Sequence, residues 1–297
     1  MGMSRLTLLA FGSLLIALIV LGLKALAYLW TGSIALYSDA LETVINVVAA
    51  LMLLATIHWS SKPADEGHPY GHHKAEYFSA VFEGVLIVLA AISIFYEAYH
   101  SYFAKSSFEL GPEALAVSGL AGIINAGWCW VLLREGRRHR SPALIADGRH
   151  LLADVISSIG VIAGIIVAKL TGIAVLDPLL AVLVALNILW SGWVLIRDSV
   201  SGLMDAAPSA DVVARIKTII AEQGEGALEA HELRMRQAGR ATFIDFHLVV
   251  PGDFTVSRAH EICDRIERRI EAEIEGSVIT IHIEPEDEAQ QTGLVVL

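Results

Sequence analysis

The chain is poor in cysteine, in charge and in basic residues, and each shortage removes a class of protein. Two cysteines in 297 residues, Cys129 in an apolar run and Cys263 in a polar helix, make no disulfide framework and no CxxC pair. Charged residues are 18% of the total, against about 25% in soluble domains, and the mean hydropathy is +0.59. A single soluble globule and a disordered chain are both excluded. Acids outnumber bases 32 to 21, which argues against nucleic acid as a partner, because phosphate contacts need Lys and Arg. There is no HExxH or comparable set of nucleophile and ligands, so a membrane metallohydrolase is disfavoured. The first apolar stretch runs from Leu6 past Leu26, too long for the core of a cleaved signal peptide, and further spans follow it.

What the chain has in abundance is long apolar segments. Six stand out, at about 6–30, 33–58, 77–103, 112–134, 145–170 and 175–198. Each can cross a hydrocarbon core of about 30 Å as a helix, the form in which a backbone satisfies its own hydrogen bonds in lipid. Lys62 and Lys74 follow the second segment, Arg134, Arg137, Arg138 and Arg140 follow the fourth, and Arg197 closes the sixth. Positive loops face the cytoplasm. The expectation is therefore a multi-pass protein of the cytoplasmic (inner) membrane with both termini inside. Gly160 and Gly164 make a small-residue face on the fifth segment, suited to close helix packing.

From Asp205 onward the character changes. This part holds 18 Asp and Glu against nine Lys and Arg; the part before it holds 14 against 12. Helical spacing over Asp211–Gln223, alternation over Leu228–Gln237 and Ala241–Val250 (Phe243, Phe246, Leu248), an amphipathic run over Thr255–Ile274 and a last strand at Ser277–Glu284 predict an αββαβ, α+β domain. The expected division is a six-helix membrane domain over 1–204, a cytoplasmic domain over 205–285, and a loose end over 286–297.

Polar residues inside the apolar segments are the candidates for function. A charged side chain at mid-bilayer costs about 2.5–3.5 kcal/mol on insertion scales and persists where it is paired, hydrated or useful. Glu42 and Asn46 on the second segment, and His150 and Asp154 on the fifth, are each four apart and so share a helix face. Four nitrogen and oxygen atoms from two facing helices can surround a divalent ion; they can equally hydrogen-bond one another or line a wet vestibule. Asp39 reads as a solvated residue near the outer end of its helix, and Glu83, Asn125 and Asn187 as polar contacts between helices. The loop after the second segment places Asp65, His68, His72 and His73 within nine residues, either a metal site or a hydrated turn. The tail adds His231, His247, His260, His282 and Glu284, of which His282 and Glu284, two apart on a strand, point the same way.

Three stretches carry a resemblance: Ser33–Glu42 (SIALYSDALE), Lys62–Glu76 (KPADEGHPYGHHKAE) and the HxxxD of His150 and Asp154. With the αββαβ tail they make the chain, over roughly residues 6–285, similar to the cation diffusion facilitator family of divalent metal/proton antiporters, including bacterial zinc and iron efflux members. The resemblance implies a secondary transporter without a catalytic cofactor, working as a homodimer. It places the transported ion at Glu42, Asn46, His150 and Asp154, a loop ion at Asp65, His68 and His72, and a regulatory ion at His231, His247, His282 and Glu284 with His260 nearby or bridging. Lys74 and Asp205 match an ion pair at the dimer junction. The family usually has Asp, or His then Asp, where this chain has Glu42 and Asn46, and Glu284 stands where close relatives have Asp. Proton exchange is expected at His150, because neutral imidazole binds metal and imidazolium cannot. The absence of thiolate ligands argues against Cu(I). Zn²⁺ is the first expectation, followed by Fe²⁺, then Mn²⁺, Co²⁺, Ni²⁺ or Cd²⁺. A passive metal channel and a sensor that transports nothing are the alternatives.

Overall fold

A computed structural model of the chain describes residues 4–31, 34–104, 112–171, 175–290 and 294–295; the side chains of several helical residues, Asp39, Glu42 and Gly164 among them, also lie outside what is described. The chain divides into two compact units, Met1–Val200 and Ser201–Leu297.

The first unit is built from six long helices: α1 (Arg5–Thr31), α2 (Ile34–Ser60), α3 (Ala75–Ala104), α4 (Pro112–Arg138), α5 (Pro142–Thr171) and α6 (Leu176–Leu203). Among the described residues, four of them (α1, α2, α3 and α6) are long and apolar enough to cross a membrane. The other two carry more charge: α4 ends in Arg134, Glu135, Arg137 and Arg138, and α5 has Asp147, Arg149, His150 and Asp154 in its first half. Large apolar side chains such as Leu15, Ile92, Ile123 and Trp190 are exposed on the outside of the unit, as lipid contact requires. Inside, α1 packs on α2 and α4, and α5 is held by α2, α3 and α4.

Two devices fix how these helices meet. The first is Glu76, fully buried in the first turn of α3, where a carboxylate also suits the helix dipole. It accepts a hydrogen bond from Ser60 at the end of α2 (3.1 Å) and another from Ser141, which precedes α5 and also accepts the Leu144 N–H at 3.4 Å. One carboxylate thus ties three helix ends together. The second is glycine at close approaches. A Cβ on Gly84 would lie 2.6 Å from Ile196, and one on Gly160 would lie 2.6 Å from Val184, so α6 presses directly on α3 and α5.

The second unit holds α7 (Ala210–Gln223), β1 (Glu229–Ala238), β2 (Ala241–Val250), α8 (Val256–Glu273), β3 (Ser277–Pro285) and β4 (Leu294–Val295). β1 and β2 form an antiparallel hairpin around Gly239, whose φ of 55° suits a residue without Cβ. The α8 crossover then brings β3 in parallel to β2, giving the sheet order β3-β2-β1-β4. Thr255 caps α8 by accepting the Arg258 N–H, and Ile262, Cys263, Ile266 and Ile270 make its buried stripe. That stripe and Ile216, Ile219 and Ile220 of α7 cover one face of the sheet, contributed by Ile244, Phe246 and Leu248 of β2.

Two expectations change here. Phe243 does not share a face with Phe246 and Leu248: an odd separation puts it on the opposite side, where the Arg236 guanidinium lies 4.2 Å above its ring. The stretch 286–297 is not simply loose. Glu286–Glu288 forms a turn of 3₁₀ helix, and the apolar pair Leu294–Val295 finds an unpaired sheet edge, pairing with Ala230 and Glu229 of β1.

Candidate metal sites

In the helical unit, Asn46 of α2 joins two residues of α5. Its Nδ2 donates to Asp154 Oδ2 at 2.7 Å, and its Oδ1 lies 3.1 Å from His150 Nε2. Asn46 and His150 are buried. Three of the four expected residues therefore meet. Glu42 lies one turn earlier on α2, and its side chain is outside the described residues. With Nε2–H donating to the Asn46 oxygen, the His150 tautomer leaves a lone pair on Nδ1, an atom with no hydrogen-bond partner among the described residues. An imidazole lone pair, an amide oxygen and a carboxylate are the donor types that hold a hard or borderline divalent ion.

More polarity surrounds this group than the spacing of the sequence suggests. Asp147 of α5 is buried and accepts a 2.6 Å hydrogen bond from Ser13 of α1, which in turn accepts the Trp128 Nε1–H at 2.8 Å. Glu83 of α3 is fully buried, and among the described residues neither oxygen has a hydrogen-bond partner. Lys24 of α1 is buried and donates to Thr43 Oγ1 at 2.9 Å. A polar cavity with about 40 Å³ open to the centre of a water molecule is lined by Lys24, Thr43, Asn46, Asn125 and Asp154, among others.

The loop after α2 also closes on itself. His68 N–H donates to Asp65 Oδ1 at 2.7 Å, and the rings of His68 (3.3 Å) and His72 (3.5 Å) come to the two oxygens of the same carboxylate. The backbone N–H of His68, more than the ring charges, holds the Asp65 carboxyl below its usual range. Asp65, His68 and His72 each place a ligand atom within 4.8 Å of the others. His73 is half-buried and stands outside this group.

In the second unit the sheet sets the geometry. His231 of β1 sits opposite His247 of β2, and His247 opposite His282 of β3, so three histidines form one row across three strands. Adjacent rings lie 5.4 and 4.9 Å apart. The row is on the face away from the two helices, and Glu284 shares that face. Its oxygens approach His231 Nε2 at 3.1 Å, His247 Nδ1 at 2.7 Å and His282 Nε2 at 3.8 Å. His231, His247 and Glu284 form a second group with ligand atoms within 4.8 Å. A tetrahedral ion with ~2.0–2.1 Å bonds sets its ligand atoms a little over ~3 Å apart, so these side chains fit one. A β-bulge follows His231 in β1, with Glu232 at φ 51°, and places Glu229, Ala230 and His231 all in buried positions. Glu229 Oε1 lies 3.3 Å from His231 Nδ1, the position of a carboxylate that orients a ligand histidine. His260 is not part of the row within the chain: it is exposed on α8 and lies 3.4 Å from Asp264. Asp205 pairs with Arg236 at 3.0 Å, and Lys74 is half-buried just before α3. Burial and the neighbouring Glu267 and Asp264 push the Cys263 thiol up to about 11, so it carries no thiolate at neutral pH.

Comparison with known proteins agrees with both units. The family description "cation efflux transmembrane domain" matches residues 10–204, and "cation efflux protein, cytoplasmic domain" matches residues 208–286. The chain belongs to the cation diffusion facilitator family. An uncharacterized transporter of Synechocystis sp. is 40% identical, over 91% of this chain and 87% of its own length. The cation-efflux pump FieF of Shewanella oneidensis is 29% identical over 91% and 90%. The manganese efflux system protein MneS of Bacillus subtilis is 28% identical over 84% and 86%. As a cation diffusion facilitator the chain is a divalent metal cation efflux transporter with a membrane domain and a cytoplasmic domain of helices on a small sheet. Sequence reasoning missed Asp147, Lys24 and Glu229. The first was visible as an acid three residues before His150, and Glu229 as an acid two residues from a strand histidine. Lys24 had no local signal beyond a lone charge in an apolar run.

Proposed function

We propose that this transporter expels Zn²⁺ from the cytoplasm across the inner membrane in exchange for protons, with all six long helices crossing the bilayer and both termini inside. Fe²⁺ follows Zn²⁺ in the expected preference, and then Mn²⁺, Co²⁺, Ni²⁺ or Cd²⁺; the name of the Bacillus subtilis relative keeps Mn²⁺ in that group. The observation that carries this reading is the contact of Asn46 with both His150 and Asp154, one turn from Glu42. The ion is gripped by these four residues, Glu42 and Asp154 balancing its charge and Asn46 adding a neutral oxygen.

Release follows from competition. An imidazolium has no lone pair to offer, so a proton arriving at His150 displaces the ion. Rocking of part of the bundle around this group would give alternating access. The loop residues Asp65, His68 and His72 take a further ion. In the cytoplasmic domain His231, His247, His282 and Glu284, with His260 nearby or from a second copy, bind a regulatory ion that draws two copies together as a homodimer, with Lys74 and Asp205 as an ion pair at the junction. The cytoplasmic dimerisation domain of the family supports that assembly.

The test is purified protein in liposomes, with an imposed pH gradient and a panel of divalent ions inside or outside. Metal uptake coupled to proton movement, greatest for Zn²⁺, is the expected result. Metal movement that dissipates its own gradient without protons would make the chain a channel, and movement of neither would make it a sensor.

A further inference from the structure

We propose that the outward face at the end of α4, built from Trp130, Arg134, Arg137 and Arg138, is a binding site for the headgroup of an anionic phospholipid in the cytoplasmic leaflet. The inference rests on the reading above that α4 crosses the bilayer and ends inside, and it adds a ligand that reading does not contain.

Four observations carry it. One face of α4 packs inward: Cys129, Leu132 and Glu135 are buried, and a Cβ on Gly136 would lie 2.9 Å from Ile145 of α5. Helical spacing then sets the opposite face. There Ile123 and Trp130, 73% and 62% exposed, stand in line with Arg134, Arg137 and Arg138, all three exposed. The Arg134 guanidinium lies over the Trp130 ring, 5.2 Å from its centre. Finally, among the described residues no acid pairs with Arg134, Arg137 or Arg138, whereas other arginines of this unit have one. Arg5 of α1 takes the buried Glu135 at 2.9 Å, and Arg197 of α6 takes Asp198 at 2.9 Å.

The helix dipole favours cations at a C-terminal end, but it asks for neither an exposed indole beneath them nor three charges on one side. A lipid headgroup accounts for both. Tryptophan settles at the level of the headgroups. Stacking on the ring uses the flat face of the Arg134 guanidinium and leaves its edge N–H groups for phosphate oxygens. Each basic residue at an anionic bilayer surface strengthens attraction about fivefold. The stripe continues below Trp130 into Gly127, beside which a Cβ would meet nothing, and the exposed Ile123. A water-borne acidic protein cannot reach that depth. A phospholipid can, because it carries its acid and its acyl chains in one molecule, and only a net negative headgroup matches three uncompensated arginines.

The experiment reads Trp130 fluorescence in the full-length protein, reconstituted into phosphatidylcholine vesicles. Phosphatidylglycerol or phosphatidylcholine with brominated acyl chains, which quench an indole on contact, is titrated in, and the signal of Trp130→Phe is subtracted. Brominated phosphatidylglycerol is expected to reach half-maximal quenching at a mole fraction about tenfold lower than brominated phosphatidylcholine. Combining Arg134→Gln, Arg137→Gln and Arg138→Gln is expected to bring the two curves together. If that variant does not fold, salt decides: raising NaCl from about 0.05 to about 0.5 M shortens the range of the charges and is expected to reduce the preference of the unaltered protein at least about threefold. Coincident curves in the unaltered protein, a preference that the triple variant keeps, a preference indifferent to salt, or one abolished by inorganic phosphate at constant ionic strength overturns the proposal. Failure of the underlying topology looks different. If neither lipid quenches Trp130, α4 does not end at the bilayer, and the reading of six crossing helices falls together with the proposal; if both quench it equally, only the headgroup site falls.

Discussion

Two of the three proposed ion sites, one on the sheet and one between helices, use different architecture. In the cytoplasmic domain the ligands are a row across three hydrogen-bonded strands, with Glu284 behind them and the ring spacing set by the strand lattice. In the membrane domain they stand on two helices, bridged by one amide and open to a cavity. A sheet cannot change the separation of neighbouring strands without breaking backbone hydrogen bonds. Two helices can slide or tilt at the cost of side-chain contacts. The first arrangement suits retention of an ion and the second suits its exchange.

The largest effect that would test this contrast lies in the membrane. Asp154→Asn or His150→Ala should lower Zn²⁺ transport at least about a hundredfold, since each removes a ligand that exists only once; His150→Ala that transports with the parent's pH dependence would refute proton coupling there. Asn46→Asp should move the helical site toward retention. With a third carboxylate it should bind Zn²⁺ on the order of tenfold more tightly and need a lower pH to release it. Equal affinity and an unchanged pH profile would mean that Asn46 does not face the ion.

Changes in the sheet should act more gently. His247→Ala with His282→Ala should leave the rate at saturating Zn²⁺ near that of the parent and reduce it several-fold at low Zn²⁺, about the 10–100-fold affinity range of ligand-shell changes setting the limit. Identical rate curves would remove the regulatory role. Smallest is the Arg215–Glu273 pair, two parallel contacts of 2.6 Å that hold the Glu273 carboxyl below its usual range. A lowered acid stabilises the fold above its unfolded value of about 4.3 and ceases to do so as pH falls through its folded value. Glu273→Gln should therefore lower the melting temperature of the cytoplasmic transition slightly at pH 7 and progressively less as the medium is acidified; a difference that does not shrink in acid would assign the effect to packing.

Much of this was legible in the residues. Runs of apolar sequence announced the long helices, and periods of 3.6 and 2 announced α7, α8 and the three main strands. The pairs at i and i+4 marked Asn46, His150 and Asp154, because helical spacing alone decides which residues share a face. Other features depend on distance in space. The Ser13–Asp147 contact joins residues 134 apart, and no local pattern encodes it. The bulge after His231 breaks the alternation that a strand reading assumes. Phe243 is as apolar as Phe246 but an odd number of positions away, so parity and not hydrophobicity decides its face. Leu294–Val295 was too short to register as a strand; its pairing comes from the open edge of β1.

That short strand has a practical consequence. It lies against Glu229 and Ala230, two residues and one residue before His231, so anything that pulls on it pulls on the rim of the histidine row. Removing Leu294–Val295 would expose the backbone of β1 at Glu229 and Ala230 to another chain's strand.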